Sequence, residues 1–259
     1  MIRLITDMLG RDVELRFPPK RIVSVVPSQT ELLHYLGLEN EVVGITKFCV
    51  HPDNWFRNKT RIGGTKKLNI EKIRELQPDL IIANKEENER EQIEELAKEF
   101  PVWISDIQNI PQALQMIQVT GQLTDKEAKA NELVDEIVMG FTNLQKATTP
   151  KRVAYFIWYN PWMSVGGDTF ISNMIHTIGW QNVLQNESRY PEVNLEQLKE
   201  LNPEMVLLSS EPFPFKEKHM DEIKAILPDA EVKLVDGEMF SWYGSRMKEA
   251  VEYMGELLV

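Results

Sequence analysis

Cysteine is almost missing from this chain. Cys49 is the single one among 259 residues, so no disulfide can close within the chain, and neither a cysteine-held zinc nor an iron–sulfur cluster can be built from it alone. Histidine is scarce too. His34, His176 and His219 fall in helical patterns, only His51 falls in a loop, and no two have ligand spacing. A bare transition-metal ion, which wants three or four converging His or carboxylate groups, therefore has no candidate site. No apolar run reaches 18 residues and no basic-then-apolar leader precedes the first strand, so neither a membrane-spanning helix nor an export signal is expected. Positive charge is in deficit, with 29 Lys and Arg against 40 Asp and Glu and a formal net charge of −11. Without a basic stripe to override that balance, nucleic acid is excluded as a partner. Catalytic signatures are also missing: there is no G-x-S-x-G, H-E-x-x-H or G-K-[ST]. "SVGGDT" (164–169) has glycines but no lysine to grip phosphate, and reads as a turn followed by a helix cap.

What is present is a 42% hydrophobic chain, enough for two cores. Short Val- and Ile-rich runs alternate with amphipathic stretches, the pattern of an α/β protein with mainly parallel sheets. "RIVSVV" (21–26), "EVVGIT" (41–46), "DLIIA" (79–83) and "PVWIS" (101–105) are expected strands of a first lobe. "RVAYFIW" (152–158), "MVLLS" (205–209) and "EVKLVD" (231–236) repeat the scheme, with helices near 168–178, 194–202, 216–226 and 245–258. Between them, "TDKEAKANELVDEIVMGFTNLQKA" (124–147) carries Leu133, Val134, Ile137, Val138, Phe141 and Leu144 at helical spacing, opened by a capping box of Thr124 and Glu127. The expected organisation is an N-terminal lobe over 1–120, one long linking helix over 121–148, and a similar C-terminal lobe over 149–259.

One phrase occurs twice. "NIEKIRELQPDLII" (69–82) returns as "NLEQLKELNPEMVL" (194–207). In each, an Asn caps a helix, Ile or Leu forms a buried face, a Pro ends the helix, and a strand follows. Glu71 and Glu196 turn away from that face toward solvent. A carboxylate in a first helical turn complements the helix dipole; alternatively, duplicated lobes present two equivalent acidic knobs to a partner with two basic sockets. The residues alone leave both readings open.

The ordered set "PPKRIVSVVPSQTELLHYLG", "VVGIT", "RIGG", "NIEKIRELQPDLIIA" and "NLEQLKELNPEMVLLSS" resembles the class III, helical-backbone substrate-binding proteins of ABC importers, in particular the cobalamin- and iron-siderophore-binding members. The similarity runs from "DMLGRDVEL" (7–15) to the last helix. It implies two α/β lobes bridged by a long helix, a metal-chelate ligand in the cleft between them, a monomeric receptor, a periplasmic or cell-surface location, and no enzyme activity or resident cofactor. It also implies that Glu71 and Glu196 dock to arginines of the membrane permease. An intracellular carrier or sensor on the same fold remains the alternative, and a metal-chelate enzyme a more remote one.

Loops that follow parallel strands are where such sheets bind ligands. "PSQTE" offers Ser28, Gln29 and the first helical amides to an anionic or carbonyl edge, although Ser28 is equally a plain cap after a Pro turn. "KFCVHPDNW" brings Lys47, Phe48 and His51, while Cys49 has no assigned role. "WYNPW" brings Trp158, Tyr159 and Trp162, and "GEMFSWYGSR" brings Trp242, Tyr243 and Arg246. Trp162, Trp242 and Tyr243 are the expected stacking wall, with Trp158 the one expected to turn inward; flat rings suit a corrin, porphyrin or aryl siderophore, and would also fit a sugar or an aromatic metabolite. Lys47, Lys66, Lys67 and Arg246 are candidate partners for ligand anions, Arg246 through a planar fork. After Gly64, where cobalamin-binding members tend to offer an aromatic, this chain has Thr65 and Lys66, a departure that weakens cobalamin and leaves siderophore or haem open.

Overall fold

Strands buried on both faces read as continuous apolar runs. The computed structural model, which describes residues 1–258, shows two sheets built from such runs. The chain divides into two compact units. The first holds Met1–Asp106, Pro111–Glu136 and Tyr243–Arg246; the second holds Ile107–Ile110, Ile137–Trp242 and the described residues from Met247 onward.

In the first unit, β1 (Ile2–Thr6) and β2 (Asp12–Arg16) form an antiparallel hairpin. Then come β3 (Ile22–Ser24), α1 (Pro27–Tyr35), β4 (Val42–Ile45), α2 (Asp53–Asn58), β5 (Thr60–Arg61), α3 (Ile70–Leu76), β6 (Leu80–Asn84), α4 (Arg90–Leu96), β7 (Val102–Ser105), α5 (Ile110–Thr124) and the start of α6 (Glu127–Asn143). The five strands β5-β4-β3-β6-β7 are parallel. β6 is buried along its whole length, and Val23, Val25, Ile73, Ile81, Leu96 and Val102 close one face of the core. Each such side chain contributes roughly 1.5–3 kcal/mol by leaving water.

The second unit contains β8 (Arg152–Trp158), β9 (Met163–Ser164), α7 (Phe170–Thr177), β10 (Gln181–Asn182), α8 (Leu195–Leu201), β11 (Met205–Ser209), α9 (Glu217–Ile226), β12 (Glu231–Val235), α10 (Glu238–Ser241) and α11 (Met247–Leu257). Its sheet runs β10-β8-β11-β12 in parallel, with β9 antiparallel on β8. The fold class is α/β with mainly parallel sheets.

The linking region differs from the sequence expectation at its start. Thr124 closes α5 instead of capping the next helix, and its hydroxyl donates back to the Thr120 carbonyl at 2.7 Å. Asp125, at φ +61°, makes the turn, and α6 begins at Glu127. The two helices cross at Gly121, where an added Cβ would lie 2.5 Å from that of Ala130; only glycine permits that approach. The division between the units falls within α6, after Glu136.

The duplicated phrase folds the same way twice. Asn69 accepts from the Lys72 N–H at 3.0 Å, and Asn194 from the Gln197 N–H at 2.9 Å with the Gln197 side chain returning the bond. The stop is set one residue earlier than the prolines suggest. Gln77 and Asn202 both take the left-handed conformation, at φ 45° and 44°, so that Pro78 and Pro203 follow a helix already ended.

Candidate ligand-binding site

Parallel strands place all their carboxyl ends on one edge of a sheet. In the first unit the chain leaves β3 for β4 on one side, while β6 flanks the other, and crevices at such a reversal are where open α/β sheets bind ligands. The side chains there are polar and buried: Ser24, Ser28, Gln29, Thr30, Asn84 and Ser105. Thr30 Oγ1 donates to Ser24 Oγ at 2.7 Å, while the carboxamides of Gln29 and Asn84 both donate to Ser105 Oγ.

The loop after β4 lifts Phe48 into solvent, 51% exposed, with Lys47 Nζ 4.9 Å from its ring centroid. Thr65 is half-buried, and its carbonyl accepts from Asn88 Nδ2 at 3.1 Å. Lys66 is tied back by the Glu86 carbonyl at 2.9 Å and Glu89 at 3.5 Å, whereas Lys47 makes no ion pair among the described residues. Cys49 is buried against Thr30 and Thr46, both 3.1 Å from Sγ. Burial pushes its thiol pKa up against those bonds, which marks it as unreactive. His51 is half-buried.

Tyr243 and Arg246 also belong to this unit, both buried. The Arg246 guanidinium already holds a carboxylate: Nε and Nη2 donate to Glu31 at 3.1 and 2.5 Å. The fork foreseen for a ligand thus closes on α1. Glu31 lies 215 residues away in sequence, so no local pattern announces the pair.

In the second unit Trp158 ends β8 with 40% of its surface exposed, its ring edge on Phe213 at 5.7 Å. Tyr159 and Trp162 instead join an aromatic nest with Phe213, Phe215 and His219. Trp162 stacks on Phe215 at 5.5 Å and meets the fully buried Phe156 at 5.2 Å, and Tyr159 donates to Glu222 at 3.2 Å. His219 Nδ1 caps α9 by accepting from the Lys216 N–H. Trp242 is only 7% exposed, and its indole N–H donates to Glu211 Oε1 at 2.8 Å beside the Ser241 hydroxyl at 2.9 Å. Burial, reinforced by Glu238 and Asp236, pushes the Glu211 carboxyl above the usual carboxylate range against those two bonds. The open ring here is therefore Trp158, with Trp242 and Trp162 packed inward.

Phe213, Phe215 and Glu211 were not singled out in the sequence, yet "EPFPF" directly follows β11, and the same rule about loops after strands reaches it. A polar cavity of about 410 Å³ in this unit, lined by Asp168, Asn173, His176, Asn182 and Gln185 among others, has no Trp, Tyr or Phe in its wall and suits a small polar solute better than a chelate.

Glu71 and Glu196 both point outward. Glu71, 79% exposed, is bonded by Arg74, whose guanidinium also holds Glu95 and Glu99 of the neighbouring α4 segment at 2.8 and 2.5 Å. Those bonds, Glu99 first, raise the Arg74 pKa, and Arg74 in turn lowers that of Glu99. Glu196 makes no ion pair among the described residues. Among the described residues no group of three or more His, Cys, Asp or Glu is placed to hold a metal ion, and no helix is long and apolar enough to cross a membrane.

The family model described as periplasmic binding protein matches residues 22–233. The chain is 28% identical to YvrC of Bacillus subtilis, an uncharacterized ABC transporter substrate-binding lipoprotein, over 97% of this chain and 84% of that one. Among solved structures, the periplasmic vitamin B12 binding protein BtuF of Vibrio cholerae superposes with a TM-score of 0.76 at 22% identity, covering 94% of this chain and 98% of that chain. The periplasmic heme binding protein HutB of Vibrio cholerae gives 0.78 at 22%, covering 92% and 98%. At these identities the structural likeness establishes the shared fold, and the relatives named are binding proteins, YvrC by its name one of an ABC transporter. Strand order, duplicated capped helices and the extent of the family match agree: the chain belongs to the periplasmic binding protein family, in the class III form of ABC-importer substrate-binding proteins.

Proposed function

We propose that this protein captures a metal chelate, a siderophore, haem or corrinoid, outside the cytoplasmic membrane and hands it to the permease of an ABC importer, acting as a monomer. One observation carries the ligand class: each unit lifts a single large aromatic ring, Phe48 or Trp158, into solvent at the carboxyl end of its parallel sheet. A flat, partly apolar ligand stacked on such rings buries much area at little conformational cost. Lys47, Thr65, Lys66 and the Ser28 turn complete the surface in the first unit, where Arg246 braces α1 through Glu31 and Tyr243 is buried; Tyr159 and Trp162 join the aromatic nest behind Trp158 in the second, where Trp242 is held by Glu211. The named functions of BtuF and HutB favour a corrin or a porphyrin, while Thr65 and Lys66 after Gly64 favour the latter or a siderophore.

Absorbance titrations with hemin, cyanocobalamin and ferrioxamine B test the reading. At least one is expected to bind with a Kd of about 1 μM or tighter, near −8 kcal/mol; failure of all three to bind would count against a chelate receptor. For the delivery step, Glu71 and Glu196 are proposed as the two permease-docking carboxylates.

A further inference from the structure

The first turn of α1 lacks hydrogen-bond acceptors. Pro27 has no N–H, and the Thr30 N–H reaches the Val26 carbonyl at 2.9 Å, but the N–H groups of Ser28 and Gln29 meet no acceptor among the described residues. Val26, at the cap position, supplies no side-chain oxygen. Ser28 Oγ is also without a partner among the described residues, at 2% exposure, and so is Ser245 Oγ, at 9%. Helical side chains lean toward the N-terminal end, so the Ser28 hydroxyl shares that end of α1 with the two amides. Ser245 follows Gly244, which packs against α1: an added Cβ there would lie 3.5 Å from the Ser28 carbonyl oxygen and 3.4 Å from Leu32 Cβ.

Native proteins seldom bury donors without acceptors, and here the Ser28 and Gln29 amides and the Ser28 hydroxyl share the positive end of a helix dipole, at the point where the sheet reverses its strand order. The nearby Arg246 supplies no acceptor for them, being itself a donor held by Glu31. Gln29 Oε1, a buried acceptor without a donor, belongs to a carboxamide anchored on Ser105 and does not offset the excess of donors.

We propose that the N-terminus of α1 is an oxyanion subsite, in which the Ser28 and Gln29 amides and the Ser28 and Ser245 hydroxyls take a carboxylate or similar oxyanion at the edge of the ligand. The inference rests on the chelate-binding reading and narrows it to chelates with an anionic periphery. An uncharged rim would leave the helix end unmatched.

Acetate isolates the subsite from the rest of the ligand. In the full chain labelled with ¹⁵N, titration with sodium acetate, against sodium chloride as the ionic-strength control, is expected to move the Ser28 and Gln29 amide resonances saturably. The Ser28→Ala/Ser245→Ala double variant, which leaves the backbone intact, is expected to bind acetate about tenfold more weakly. Hemin, with two carboxylates, is expected to bind at least tenfold more tightly than its dimethyl ester. Amides unmoved by acetate overturn the subsite, and equal binding of hemin and its ester overturns its role in holding the ligand. A normal acetate response in a protein that binds no chelate counts against the chelate reading instead.

Discussion

Glu211 shows how one residue can be costly to stability and useful to shape. Its Oε1 accepts from both Trp242 and Ser241, while burial makes the charged form unfavourable and lifts the carboxyl pKa in the folded protein. A carboxyl raised on folding contributes stability that is complete below the ordinary carboxylate range and lost as pH rises through the folded value. Glu211→Gln keeps an acceptor oxygen and removes that loss, so the variant is expected to gain thermal stability over the parent at about pH 7 and little at about pH 4. A gain of equal size at both values would assign the effect elsewhere. Trp158→Ala is expected to weaken binding of the preferred chelate at least tenfold, about 1.4 kcal/mol, with little change in the unfolding midpoint because the ring is already 40% exposed. Trp158 and Trp242 also mark where single residues resist reading from sequence. The Gly and Ser around Trp242 suggested an open loop, yet the indole is buried with its N–H on Glu211. Trp158, at the end of an apolar run, looked like core but lies beyond the last residue paired with β11 and has only the short β9 beside it.

Elements were easier to read. Every named run of Val, Ile and Leu became a strand: β6, β7 and β11 are buried on both faces, which such runs signal whatever their neighbours, while β12 at the sheet edge is buried only at Val232 and Val235. The repeated Asn signalled the starts of α3 and α8, since a side-chain oxygen three residues before a free N–H is a local matter. Asn69→Ala and Asn194→Ala are each expected to lower stability by about 1 kcal/mol, measurable as a shift in the urea midpoint with unchanged slope. Absence of any shift would mean that solvent satisfies those amides equally well. Boundaries set by competition were not legible. Thr124 and Glu127 have capping-box spacing, but the Thr124 hydroxyl is taken by the helix behind it. Gln77 ends α3 in a left-handed conformation that its sequence neighbours do not demand.

At the scale of the whole molecule, duplication was visible in the sequence because it repeats a capped helix with its following strand, 125 positions apart. The pairing of Arg246 with Glu31 was not, since only folding brings them together. The docking role belongs to this scale. Reversing the charge at both Glu71 and Glu196 is expected to leave chelate affinity in solution unchanged and to abolish uptake by cells carrying the cognate permease; uptake at the parental rate would remove these carboxylates from the delivery step.

The Arg74 knot gives the two carboxylates different characters. Glu71 is drawn into a lattice of one guanidinium and three acids spanning two helices, whereas Glu196 has only the flexible Lys199 at the equivalent position, without an ion pair among the described residues. In the proposed docking role, a cationic partner would compete with Arg74 for Glu71 but, among the described residues, with no ion pair for Glu196. As proposed permease contacts they would therefore be unequal, one carboxylate held in advance by a guanidinium and the other not.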